Sequence, residues 1–192
     1  MQACGIDVLI SAPQKGWSAS PCSALIMFSE RAEQVLEQTT STSFAADLKK
    51  WRQIMQAYEN GGHAYHATMP TDALKAFRDT MLETRDYGFA KVKQEQLALG
   101  TAVRELMQEL GYKSVAADGF GAPGVVVSYT DNDGIQSGKA FAPLGLQTAA
   151  GVPLMCDEPE GCKTFRLGLF GLDKLHNPER TVATLREAFA AL

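Results

Sequence analysis

Two short apolar runs open this chain, one around Ile6, Val8, Leu9 and Ile10 and one from Ala24 to Phe28, and no third β-branched run follows until Pro123–Tyr129. Each opening run reads as a strand, and Pro13 ends the first before the loop Gln14–Cys22. The first is expected to be buried, with its carboxyl end meeting that loop. Two strands cannot make a sheet covered on both faces. The segment before about residue 70 therefore reads as the tail of an α/β layer, the end of something whose beginning is absent.

The rest of the chain changes character. Ser29 is placed to cap a helix beginning at Glu30 and carrying Val35 and Leu36. From Phe44 to Tyr58, Leu48, Trp51 and Met55 keep the spacing of one helix face, and Asn60, Gly61 and Gly62 stop it. Thr71, before Asp72, has the form of an N-cap after Pro70. Leu74, Phe77 and Met81, then Val92, Leu99, Val103, Leu106 and Leu110, predict two consecutive helices, broken near Tyr87–Gly88 and closed by Gly111. A strand is predicted over Pro123–Tyr129, a short helix over Lys139–Leu146 and a strand over Thr164–Phe170, where Phe165, Leu167 and Leu169 alternate with Arg166 and Gly168. Asn177 with Pro178 at the first helical position opens a final helix whose face carries Val182, Leu185 and Phe189. This second part reads as an α+β unit of a few strands covered by helices.

Charge and composition exclude several classes. The 192 residues carry 18 Lys and Arg against 22 Asp and Glu, a formal charge of −4, so there is no basic footprint for nucleic acid. With 45% apolar and 21% charged residues the chain is too apolar for a disordered one. No apolar stretch nears the roughly 20 residues that cross a bilayer, so no membrane role is expected. Asp7 inside the first apolar run, with no basic leader, argues against a cleaved signal, and a cytoplasmic location is expected. Cys4, Cys22, Cys156 and Cys162 are too few and too scattered for a disulfide scaffold. Cys156 and Cys162 lack a second ligand pair, so no metal is expected; His63 and His66 add at most a weak pair on a loop.

Three segments carry candidate chemistry. Lys15 lies just beyond the first strand, and in a crevice its amine could lose its proton and form a Schiff base; on spacing alone a solvated loop lysine explains it better. Arg166 sits inside an apolar strand, where an unpaired guanidinium is expensive, so it needs an anionic partner: a substrate carboxylate held by two donors, or, as the favoured alternative, an internal acid. Tyr65 and Thr68, in a loop anchored by Pro70, could donate to a phosphate; ordinary turn residues would look the same.

Together, Ser11–Trp17 (SAPQKGW), Tyr65–Pro70 (YHATMP) and Thr164–Leu175 (TFRLGLFGLDKL) resemble the C-terminal half of class V pyridoxal-phosphate-dependent aminotransferases, specifically the alanine–glyoxylate and serine–glyoxylate group. The resemblance covers essentially the whole chain. It implies a fold-type-I transferase: residues 1–70 as the end of the large, cofactor-binding α/β domain, its last strands and helix, and residues 71–192 as the small C-terminal domain, an antiparallel sheet covered by helices. It implies pyridoxal 5′-phosphate as cofactor, with Lys15 as the lysine that holds it and moves the proton, and Gln14 helping to hold the phosphate. Tyr65 and Thr68 would reach the phosphate of a neighbouring subunit in a homodimer, and Arg166 would bind the substrate carboxylate. The implied reaction is transamination of a small amino acid with a 2-oxo acid, glyoxylate or pyruvate. The family's Pro-Pro-Gly turn after the lysine is replaced by Ser20-Pro21-Cys22, and its ring-stacking aromatic, pyridine-pairing acid and most of its phosphate loop would lie before Met1. The alternative is a non-catalytic module that self-associates through surfaces the large domain would cover.

Overall fold

The computed structural model describes residues 1–192. The chain divides into two compact units, one made of Met1–Gln14 and Ala19–Asp79, the other of Lys15–Ser18 and Thr80–Leu192.

In the first unit, β1 (Val8–Ser11) and β2 (Leu25–Phe28) pair antiparallel, with Ile10 opposite Ile26. The expectation of a buried first strand is overturned: Val8, Leu9 and Ile10 are 46%, 40% and 68% exposed, because a two-stranded ribbon has no second layer over either face. Helix α1 (Glu30–Glu37) begins as predicted, Ser29 Oγ accepting from the Ala32 N–H at 3.2 Å. Asp7 accepts from Ser29 Oγ at 2.6 Å and from the Arg31 guanidinium, tying the approach to β1 to this helix start. Helix α2 (Leu48–Glu59) starts four residues later than its apolar period suggested, since Asp47 caps it by accepting from the Lys50 N–H. Phe44 instead stacks on His66 at 4.1 Å between ring centroids, with Trp51 edge-on at 5.0 Å, so His66 serves packing. Arg52 on α2 pairs with Glu33 and Glu37 on α1.

Helix α3 (Thr71–Tyr87) crosses the division between the units. Thr71 lies within it instead of capping it: the Pro70 carbonyl accepts the Leu74 N–H, so the first helical bond already starts before Thr71. Gly88, at φ 105°, separates α3 from α4 (Phe89–Glu109), as the sequence predicted.

In the second unit, α4 lays Leu99, Val103, Leu106 and Met107 against a three-stranded antiparallel sheet in the order β3 (Val125–Tyr129), β5 (Thr164–Gly168), β4 (Ala149–Ala150). Phe141 and Phe165 are completely buried in this core, and Tyr112 meets Phe165 and Phe189 edge-on at 5.2 Å. Helix α7 (Pro178–Ala190) closes it with Leu185, Ala188 and Phe189. Two short helices, α5 (Asp133–Gln136) and α6 (Leu172–Leu175), and strand β4 had no sequence prediction; each is too brief to show a period. The helix predicted over Lys139–Leu146 reduces to a 3₁₀ turn at Ala142–Leu144.

Candidate functional site

Strand β5 and the residues after it present two faces. Phe165, Leu167 and Leu169 are buried, while Arg166, Gly168 and Phe170 point away from the core, the alternation any strand imposes. Lys15, grouped with the second unit, places its Nζ 5.7 Å from the centroid of the Phe170 ring. Lys15 and Arg166 thus share one face of this unit. The backbone from Arg166 to Phe170 spans about 13 Å at the usual rise of a strand.

Arg166 is half-buried, and its one protein partner is the Ala150 carbonyl, which accepts from Nε at 2.9 Å. The favoured expectation of an internal ion pair is corrected. No carboxylate lies within salt-bridge distance; exposure spares the guanidinium the full cost of burial, and β4 supplies a carbonyl instead. Its terminal donors are left for an incoming anion. Lys15 is exposed, and its side chain makes neither a hydrogen bond nor an ion pair.

Tyr65 and Thr68 belong to the first unit, and their hydroxyls stand 3.3 Å apart on an exposed loop. Gln14, exposed, closes the first segment of that unit immediately before Lys15. The four cysteines are unpaired, and no group of three or more His, Cys, Asp or Glu stands where it could hold a metal ion.

Sequence reading missed two residues. Phe170 is four positions from Arg166, at the end of the predicted strand Thr164–Phe170 and two residues past the observed one, and that spacing alone would have put it on the same face. Glu158 organises the loop leading into β5: its carboxylate accepts from the N–H groups of Cys156 at 2.9 Å, Met155 at 3.0 Å and Leu154, which holds its pKa down to about 2. Because the folded value lies below the ordinary carboxylate range, the stabilisation is present above that range and lost as pH falls through about 2. The amide resonances of Leu154, Met155 and Cys156 should titrate together with a midpoint of about 2, and Glu158→Gln should abolish the titration. A midpoint in the ordinary carboxylate range would show that these bonds do not persist in solution.

No family model matches the chain. Among curated proteins it is 28% identical over 193 residues to alanine–glyoxylate aminotransferase of Oryctolagus cuniculus, covering 96% of this chain and 47% of that protein. Among solved structures it matches an aspartate aminotransferase of subgroup IV from Thermus thermophilus with a TM-score of 0.75 at 22% identity, over 100% of this chain and 51% of that one. It also matches alanine–glyoxylate aminotransferase from Nostoc sp. with a TM-score of 0.76 at 18% identity, over 97% and 49%. The chain spans about half the length of the curated relatives it matches.

In fold and sequence the chain is therefore similar to the C-terminal half of class V pyridoxal-phosphate-dependent aminotransferases, fold type I. Within that class, its curated relatives are alanine–glyoxylate aminotransferases. Pyridoxal 5′-phosphate is the cofactor this family implies, and the residues present fit it. In the second unit, an amine without a carboxylate partner and a guanidinium with uncommitted donors are donor types that such a group and its amino-acid substrate require.

Proposed function

We propose that this chain furnishes the lysine and arginine of a pyridoxal-phosphate-dependent aminotransferase that moves an amino group from a small amino acid to a 2-oxo acid such as glyoxylate or pyruvate. Residues 1–70 then correspond to the end of the cofactor-binding domain and residues 71–192 to the small domain. The observation that carries the reading is Arg166: a half-buried guanidinium, on the same face as an unpaired lysine amine, with no acid of its own.

In this role Arg166 grips the substrate carboxylate with the parallel donors of its fork, fixing the orientation of the α-carbon. Lys15 would hold the cofactor through its amine, and as a free amine it would take the proton from the substrate α-carbon. The bound cofactor supplies the electron sink that makes that proton removable. Gln14 contributes to the phosphate site, and Tyr65 and Thr68 donate to the phosphate of a second subunit in a homodimer. Unpaired cysteines fit a reducing, cytoplasmic setting.

Titration with pyruvate, followed at the Arg166 Nε–H resonance, should give a saturable shift. Arg166→Lys loses one arm of the fork and should weaken pyruvate binding, followed through neighbouring amides, by about 10- to 150-fold, the equivalent of one hydrogen bond to a charged group. Binding unchanged in that variant removes Arg166 from the carboxylate site.

A second reading, a non-catalytic module that self-associates, is favoured by the exposed apolar side chains of the first unit, among them Ile6, Val8, Leu9, Ile10 and Met27. Light scattering over a dilution series should then show mass falling on dilution; a monomer at every concentration rejects this reading.

A further inference from the structure

The aromatic ring beneath Lys15 is itself held in place by backbone. A Cβ built at Gly124 would lie 2.8 Å from Phe170 Cε1, and one built at Gly168 would lie 3.5 Å from the opposite edge of the ring, at Cδ2 and Cε2. The ring is therefore seated between two glycines, and only the absence of a side chain at Gly124 lets it lie where it does.

Gly124 is in turn fixed to α4. Gln96, Gly100 and Arg104, four residues apart on that helix, face the segment before β3. A Cβ at Gly100 would come within 2.6 Å of the Pro123 carbonyl oxygen, so the loop backbone rests directly on the helix. Gln96 Nε2 donates to the same carbonyl at 3.0 Å, and Arg104 donates to the carbonyls of Ala122 and, at 3.2 Å, Val125. The Lys15–Ser18 segment has a second anchor in the same unit, the Trp17 ring standing edge-on to Phe89 at 6.4 Å.

We propose that Phe170 is a positioning residue for Lys15: its ring, seated on Gly124 and Gly168, holds the lysine amine on the Arg166 face without binding it to an acid. An aromatic face attracts an ammonium over a broad range of approach. A carboxylate in the same place would hold the ammonium more tightly and occupy its N–H groups with charge-assisted hydrogen bonds, whereas a ring face makes only the weaker contact. The ring thus restrains the amine's position and leaves its nitrogen open. The inference rests on the reading of Lys15 as the amine that takes up the cofactor aldehyde.

The test uses the full 192-residue chain. Two quantities are measured in wild type, Phe170→Leu and Phe170→Tyr: the ring-current shift of the Lys15 ε-methylene protons, and the share of pyridoxal phosphate fixed at Lys15 by borohydride, mapped by peptide mass spectrometry across the ten lysines. In the fixing step the amine condenses with the aldehyde, water leaves, and borohydride delivers hydride to give a secondary amine.

Wild type and Phe170→Tyr should show the upfield shift and a dominant Lys15 label. Phe170→Leu should lose the shift and about two- to fivefold of the label share, the range of an exposed cation–ring contact. Gly124→Ala, which leaves Phe170 in the sequence but crowds its ring, should reproduce that loss while the Phe165 and Phe189 resonances keep their positions. A dominant Lys15 label that Phe170→Leu leaves unchanged overturns the positioning role. A wild-type chain that shows the ring-current shift but no Lys15 label overturns the reading of Lys15 itself, whereas a wild-type chain lacking the shift overturns the ring contact whatever the label does.

Discussion

Lys15→Ala should abolish the principal covalent adduct formed when the chain is treated with pyridoxal phosphate and reduced with borohydride, leaving only a low label spread over the other nine lysines. The physical basis is the setting of each amine. Lys163 lies 2.6 Å from Asp133, and Lys75, Lys174, Lys49 and Lys91 each stand within 4 Å of a carboxylate. The hydrogen bond and charge of Asp133 raise the Lys163 pKa, favouring the charged amine, which cannot attack an aldehyde. Lys15, like Lys50, Lys93, Lys113 and Lys139, has no acid within salt-bridge distance, and among these five it alone stands over an aromatic ring, Phe170, with Trp17 anchoring the same segment on Phe89. Peptide mapping of reduced adducts checks the expectation. If the principal adduct persists in Lys15→Ala, the amine that takes up aldehyde lies elsewhere and the transaminase reading loses its nucleophile.

Phe165→Ala should cost the second unit about 3–5 kcal/mol, the range for removing a fully buried aromatic side chain. The ring is 0% exposed and sits at the centre of an aromatic cluster, with Tyr112 edge-on at 5.2 Å and Phe189 at 5.8 Å. No neighbour can collapse into the space without leaving its own contacts, so most of the cavity would persist. Phe165→Leu keeps most of the volume and should cost markedly less. Urea unfolding of both variants measures the difference. A cost below about 1 kcal/mol for Phe165→Ala would mean that the core relaxes around the hole. The consequence reaches the site, because Phe165 on the inner face of β5 fixes the strand whose outer face carries Arg166.

Some of this was legible in the residues themselves. The helical period from Leu74 to Leu110 with Gly88 inside it specifies two helices and the break between them, because a 3.6-residue repeat survives over many turns and glycine tolerates φ 105°. The alternation around Arg166 specifies which side of β5 is core and which carries a charge. Ser29 and Pro178 mark helix starts for equally local reasons.

What lay beyond the residue pattern depends on pieces distant in sequence. The Ala150 carbonyl that occupies Arg166 Nε comes from a two-residue strand with no signal of its own, so the residue pattern did not show that the guanidinium's partner is a carbonyl instead of an acid. The exposure of β1 follows from the number of strands beside it, a property no run of apolar residues encodes. The motifs in the amino-acid order alone pointed to a lysine, an arginine and the enzyme class they resemble. Only the folded chain set both on one face and put Phe170 beneath the amine, because that depends on two glycine backbones approaching one ring, and approach is decided by packing.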